Sequence, residues 1–247
     1  IFLAAIFIRL LISALIVGFQ AQSFFGEDGV VHEIHGYQLF QSWWGGRPLP
    51  YYLKDWNRPW GLHYLIAVIY SIVGRVPLAV NFVSSFCGAL TAVFVFQITK
   101  RTFQNTRAAI NAAILVAFFP AMIIWSSQIM KDGFVVLFVV IVIWVLIRIQ
   151  DKFSYVDLAL LGLSLVAILS VRFYIFYFAV LAAGGSFLFG GKNRTANNIR
   201  GLVVATCVAI FAAYTGVLSV GTEQVEKISN LDNVQYSRSS LSTEAAS

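Results

Sequence analysis

Charge is what this sequence has least of. Asp, Glu, Lys and Arg make up 11% of its 247 residues, against roughly 25% in a soluble domain, and 59% of the chain is hydrophobic. A water-soluble fold cannot hide that proportion of apolar side chain, so lipid is the solvent for most of the chain. Cysteine is scarce too. Cys87 and Cys207 both lie in apolar runs, the ordinary place for a buried thiol, and no disulfide framework is indicated. No basic–aromatic pattern of the nucleic-acid-binding kind is present, and the formal net charge of +6 comes from short loops. A basic n-region and a small-residue cleavage site are both missing from the start, so the first apolar run is not read as a cleaved signal peptide. The chain opens inside an apolar run and closes in a polar one, and is expected to be part of a longer protein. No internal repeat is visible, which weakens a transporter reading, because many transporters show paired halves.

What is present is a succession of apolar runs, and the expected fold is an all-α polytopic membrane protein of about seven transmembrane helices. The expected spans are Ile1–Phe25, Val76–Thr99, Ala108–Trp125, Gly133–Ile147, Tyr155–Val171, Phe173–Phe189 and Gly201–Gly221. Leu62–Val73 is apolar but too short: about 12 residues rise only ~18 Å against a ~30 Å hydrocarbon core. It reads as a juxtamembrane helix. Pro77 suits the first turn of the helix after it. Residues 1–221 form the transmembrane module, with an outer loop over 26–75, and 222–247 a polar tail.

The short loops Lys100–Arg107, Arg148–Asp157 and Lys192–Arg200 hold eight basic residues against two acids, whereas Glu27–Arg75 has four of each sign. Lys/Arg bias places the first three in the cytoplasm. The 26–75 loop and the tail then face the other side, the periplasm if the membrane is a bacterial inner membrane. The Asn193–Thr195 sequon falls on the cytoplasmic side, where no glycosylation is expected.

The long polar interruption, Phe24–Gly61, is the first place to look for chemistry. Glu27 and Asp28 stand where the first span meets water. They suit a helix N-cap, and equally a general base in a membrane-edge cleft that excludes water. Residues 29–45 read as an interfacial helix, with Val30, Ile34, Tyr37 and Trp44 on one stripe and Phe40 and Trp43 beside it. Asp28, His32 and His35 share another stripe at i, i+4, i+7. That spacing suits hydrogen-bonding surface residues, or a metal site completed by Glu27 or Asp132. In the following loop Arg47, Lys54 and Arg58 alternate with Tyr51, Tyr52, Trp56 and Trp60, as in an interfacial aromatic belt or a phosphate grip. Asp55 can neutralise Lys54 or Arg58. Lys131 and Asp132 open a span on the same outer face, Asp132 as an N-cap or as a functional acid. Arg172 marks an outer hinge, and ionisable groups at a membrane edge mark function more often than chance. Arg9, alone in the first span, either snorkels or pairs within the bundle.

These residues, in this order, resemble the polyprenyl-phosphate-sugar-dependent glycosyltransferases of the GT-C superfamily, specifically the protein O-mannosyltransferase-like family. The matching pieces are Gly26-Glu27-Asp28 closing the first span and an amphipathic loop helix. Asn57-Arg58-Pro59-Trp60-Gly61 then precedes a short apolar helix ending at Val73-Gly74-Arg75. After it come Phe119-Pro120, Trp125-Ser126-Ser127 and Lys131-Asp132, and Arg172 at a common basic position. The resemblance runs from residue 1 to about 220. It implies that Asp28 is a general base for inverting transfer of a sugar from a polyprenyl-phosphate donor to an acceptor. Arg58, Lys131 and Arg172, with Lys54, would meet the donor phosphate, and Asp132 and Glu27 would orient those cations or hold a divalent metal ion, which some GT-C enzymes use and others do not. The pair reads Glu-Asp where many relatives have Asp-Glu, and His32-Glu33 stands where Tyr-His is frequent, so which carboxylate is the base stays open. The C-terminal half that completes acceptor recognition is not in this chain, and the acceptor stays open with it.

Two other readings compete. A non-catalytic GT-C-like subunit of a larger membrane complex would show a blocked site. A transporter of a lipid-linked sugar would need charges at mid-bilayer, of which Arg9 is the one candidate.

Overall fold

The computed structural model describes residues 1–21, 27–49, 60–152 and 154–189. The helices are α1 (Phe2–Gly18), α2 (Glu27–Trp44), α3 (Gly61–Val73), α4 (Pro77–Phe103), α5 (Thr106–Phe118), α6 (Pro120–Ser126), α7 (Lys131–Asp151), α8 (Tyr155–Val171) and α9 (Phe173–Phe189). No strand occurs among the described residues. The expected Gly201–Gly221 span, the sequon and the tail lie outside them, as do Lys54, Asp55, Arg58 and most of the aromatic loop.

Among the described residues two helices, α4 and α7, are each long and apolar enough to cross a membrane, and α5 with α6 makes a third span if the pair is counted as one. The other apolar helices, α1, α3, α8 and α9, run 13 to 17 residues. The boundaries of α3, α8 and α9 fall within a residue of those expected. The expected span Ala108–Trp125 is not one helix: it breaks at Phe119 and turns through 54°. Pro120 supplies no N–H and pushes the residue before it out of helical space, and Phe119 sits at φ −65°, ψ 119°. The first span is also shorter than expected. It stops at Gly18, followed by a turn in which Gln20 takes φ 53°.

At the end expected to face the cytoplasm, Lys100 and Arg101 occupy the last turn of α4, where cations complement the helix dipole. Gln104 ends α4 in the left-handed region, and the Asn105 side chain caps α5 by accepting from the backbone N–H of Arg107 and Ala108 at 2.9 and 3.2 Å. Arg101 pairs with Asp151, and Arg148 with the buried Asp157, which ties α4, α7 and α8 together at that end.

Two packed clusters fill this part of the bundle, and α4 borders both. α7, α8 and α9 share a core of Leu137, Ile141, Val145, Leu161, Leu165, Ile168 and Phe176. α1, α4 and α5 meet through alanines, Ala5, Ala89, Ala92 and Ala117, whose small side chains let backbones approach closely. Buried in that second seam is Arg9, with no exposed surface. It donates from Nε to Ser126 Oγ (2.9 Å), and from Nη1 to the carbonyls of Ala5 (2.9 Å) and Ala117 (2.8 Å). The Ala117 carbonyl belongs to the last turn of α5, one of the groups a helix end leaves unpaired. Of the two readings for Arg9, the structure selects the one within the bundle. Arg9 clasps the α5–α6 break.

Candidate functional site

The end of the bundle away from the Arg101–Asp151 pair, the end expected to be the outer one, is roofed by the α2–α3 hairpin. Gly36 lets the two helices touch: a Cβ there would meet Ile66 Cγ2 at 2.4 Å. α3 packs beneath through Leu62, Ile66 and Tyr70 against Val80, Ile129 and Phe134. The expected lipid-facing stripe of α2 is redistributed. Val30, Ile34, Trp43 and Trp44 are exposed, whereas Tyr37 and Phe40 turn inward onto α3.

A carboxylate, Glu33, ties α2 to α3 and to the linker that leads into α4. Glu33 accepts two bonds from Arg75, Nε to Oε1 and Nη2 to Oε2, both at 3.0 Å, and a third from the buried Tyr70 hydroxyl at 2.8 Å. The Arg75 guanidinium also lies 4.1 Å from the centre of the Tyr37 ring. Burial and the Glu33 bond push the Tyr70 hydroxyl up from its ordinary value, and the same carboxylate raises Arg75. Both oxygens of Glu33 are therefore engaged in structural hydrogen bonds. It borders a cavity of about 300 Å³ with Val30, Arg75, Asn81 and Gln128.

On the other side of the first turns of α2 lies a larger cavity, about 530 Å³, and it gathers residues from four elements. Asp28 and His32 come from α2, Trp125 from α6, Lys131 and Asp132 from α7, and Arg172, Phe173 and Tyr174 from the α8–α9 junction. Arg172 Nη2 donates to Asp132 Oδ1 at 2.8 Å, and its Nη1 donates to the Tyr174 hydroxyl. Lys131 sits within the fields of Arg172, Asp28 and Asp132. A third cavity, of about 330 Å³ and running down between α4 and α7, shares Trp125 and Asp132 with the outer one.

Asp28, Lys131, Asp132 and Arg172, more than a hundred residues apart at the extremes, thus line a single space at the outer rim. Asp28 is exposed, so the water-excluding cleft expected around it is not formed by the described residues. Asp132 does not cap its helix. Met130 holds the N-cap position, with no side-chain bond, and the Asp132 carboxylate turns to Arg172 instead. Glu27 begins α2, and its side chain lies outside the description, like Lys54 and Arg58.

Among the described residues no three His, Cys, Asp or Glu side chains are arranged to hold a metal ion, so the Asp28–His32–Asp132 set is not assembled as one. The His32 ring turns to another histidine: its Nδ1 lies 3.1 Å from His63 Nε2. His63 was not singled out in the sequence, although a lone histidine in an apolar helix is a signal worth following. Burial first, then the charges of Lys131, His35 and Arg172, push His32 down to about 4. Burial and its two neighbouring histidines push His63 down to about 3, with a contribution from Lys131. Both rings are neutral at pH 7.

Fold and cavity together define an integral membrane protein that brings carboxylates and cations to one lip of a helical bundle. Residues 57–215 match the family model described as dolichyl-phosphate-mannose-protein mannosyltransferase, and the chain belongs to that family. It is accordingly a membrane glycosyltransferase of the GT-C type, mannosyltransferase-like. The matched segment includes Lys131, Asp132 and Arg172 and begins after Asp28. No curated protein and no solved structure matches the chain.

Proposed function

We propose that the chain transfers a sugar from a polyprenyl-phosphate donor to an acceptor hydroxyl, with inversion, at the outer cavity. Asp28 is the base. It takes the acceptor proton as the acceptor oxygen bonds to C1 of the sugar, and the C1–O bond to phosphate breaks with its electron pair leaving on the phosphate. Lys131 and Arg172 meet that developing charge, the kind of preorganised electrostatic contact that carries most of such a rate enhancement. Asp132 holds the Arg172 guanidinium in place through their 2.8 Å bond. Lys54 and Arg58 belong to the same donor-binding group by family resemblance. The Lys/Arg asymmetry of the loops puts this cavity on the extracytoplasmic face, in a bacterial plasma membrane the periplasmic side.

The observation that carries the reading is the meeting of Asp28, Lys131, Asp132 and Arg172 in one cavity. The test uses membranes containing the full chain, supplied with labelled polyprenyl-phosphate mannose, the sugar taken from the family description. Asp28→Asn is expected to lower transfer by at least about 10²-fold while leaving prenyl-phosphate affinity within about twofold. Full transfer by a folded Asp28→Asn protein would sink the base assignment. Binding without any transfer by the wild type would favour a non-catalytic subunit.

A further inference from the structure

All three histidines of the chain come together beside the outer cavity. His32 and His63 share the 3.1 Å contact, and the His35 ring stands edge-on to His63 with centroids 5.1 Å apart. Only His32 lines the cavity. Its Nδ1 is engaged by His63, which leaves Nε2 as the nitrogen available to a ligand there. The charged and titratable groups facing His32 are Asp28 and His35 from α2, His63 from α3, Lys131 and Asp132 from α7, and Arg172 from the α8–α9 junction. The cations of this set repel a proton on the ring, and burial does the same. An anion lodged beside Lys131 and Arg172 would reverse the first effect and offset the second.

We propose that His32 is the proton-accepting member of the anion site: a phosphate entering beside Lys131 and Arg172 draws one proton from solvent onto His32, and His63 is the positioning residue that fixes the ring. This rests on the reading of the cavity as a lipid-phosphate site. A unit charge about 4 Å away at an effective dielectric near 20 is large enough to bring the ring back to the neutral range. With the ring neutral at pH 7 in the absence of an anion and protonated in its presence, linkage fixes the sign. Affinity for the anion rises as pH falls, by up to about tenfold per pH unit for one proton, and levels off near pH 4 where both forms are protonated.

The test is calorimetric titration of the full chain in detergent with a farnesyl methyl phosphodiester, an anion that does not itself titrate between pH 5 and 8. Two buffers of different ionisation enthalpy report the protons taken up. The wild type is expected to take up a substantial fraction of one proton per ligand at pH 6, and His32→Gln none, with a nearly pH-independent affinity. His63→Asn is expected to move the midpoint of the pH dependence, and an unmoved midpoint would remove its positioning role. Ring titration of the wild type by NMR, with and without ligand, needs no variant and should show one histidine titrating near neutrality only when the diester is bound. Binding that weakens in Arg172→Gln but takes up no proton in the wild type would overturn this inference alone. Absent binding, or binding indifferent to Arg172→Gln, would overturn the phosphate reading beneath it.

Discussion

Arg172 and Asp132, forty positions apart, share a 2.8 Å charge-assisted hydrogen bond that joins the α8–α9 junction to the first turn of α7. Both partners line the outer cavity and keep part of their surface open: side-chain exposures are 29% for Arg172 and 41% for Asp132. A pair this accessible is screened by solvent and contributes at most about 1 kcal/mol to stability. Arg172→Gln should therefore leave thermal unfolding in detergent almost unchanged while weakening prenyl-phosphate binding at least tenfold. A large loss of stability with unchanged binding would recast the pair as scaffold.

Arg9 should behave in the opposite way. Its guanidinium is fully buried and feeds two carbonyls and a serine hydroxyl. Truncation leaves the Ala117 carbonyl and the Ser126 hydroxyl without this donor at the α5–α6 break, and charged hydrogen bonds of this kind are each worth roughly 1.5–3 kcal/mol. Arg9→Ala is expected to destabilise the protein by about 2–4 kcal/mol, read from unfolding in detergent. Arg9→Met, which keeps the volume and removes the buried charge, should cost clearly less. Equal losses in the two variants would show that volume, rather than hydrogen bonding, is what matters at this position.

The Glu33 cluster separates a buried contact from an exposed one. The Glu33 side chain is 11% exposed and its partner Arg75 49%, while Tyr70 is almost wholly enclosed. Glu33→Ala strands the Tyr70 hydroxyl and should cost roughly 2–3 kcal/mol, whereas Arg75→Ala should cost about 1 kcal/mol or less. A double-mutant cycle with Tyr70→Phe measures the coupling directly, and additivity would mean the bond contributes nothing.

Stability should also fall with acid. His32 and His63, ordinarily near 6.5, are pushed down to about 4 and about 3. Below pH 6.5 the unfolded rings take up protons that the folded rings refuse. The folded state loses up to about 1.4 kcal/mol per pH unit for each ring until its folded value is reached. Unfolding temperatures at pH 7.5, 6 and 5 should fall in sequence, more gently in His63→Asn. A flat profile would mean the rings charge freely in the fold.

Much of this was legible in the sequence because hydropathy speaks directly. The lone Arg172 splits an apolar stretch at the point where α8 ends and α9 begins, and Lys131-Asp132 marks the start of α7. The break at Phe119 was concealed because Pro120 is embedded in an unbroken apolar run, where composition alone favours one continuous span. The pairings of Glu33 with Tyr70 and Arg75, of His32 with His63, and of Arg9 with Ala117 were out of reach for a different reason. Helical periodicity relates residues three or four apart, and these partners are 31 to 108 positions distant.

One close approach holds α3 against α8 behind the cavity. Gly61, the first residue of α3, lies so near the end of α8 that a Cβ on it would sit 2.3 Å from Ser170 Oγ and 2.7 Å from Ser170 Cβ. The same short helix carries His63, and two residues beyond Ser170 stands Arg172. A methyl group at position 61 would work as a wedge that lifts α3 off the end of α8, so the seating of His63, and of His32 through it, depends on the absence of one carbon atom.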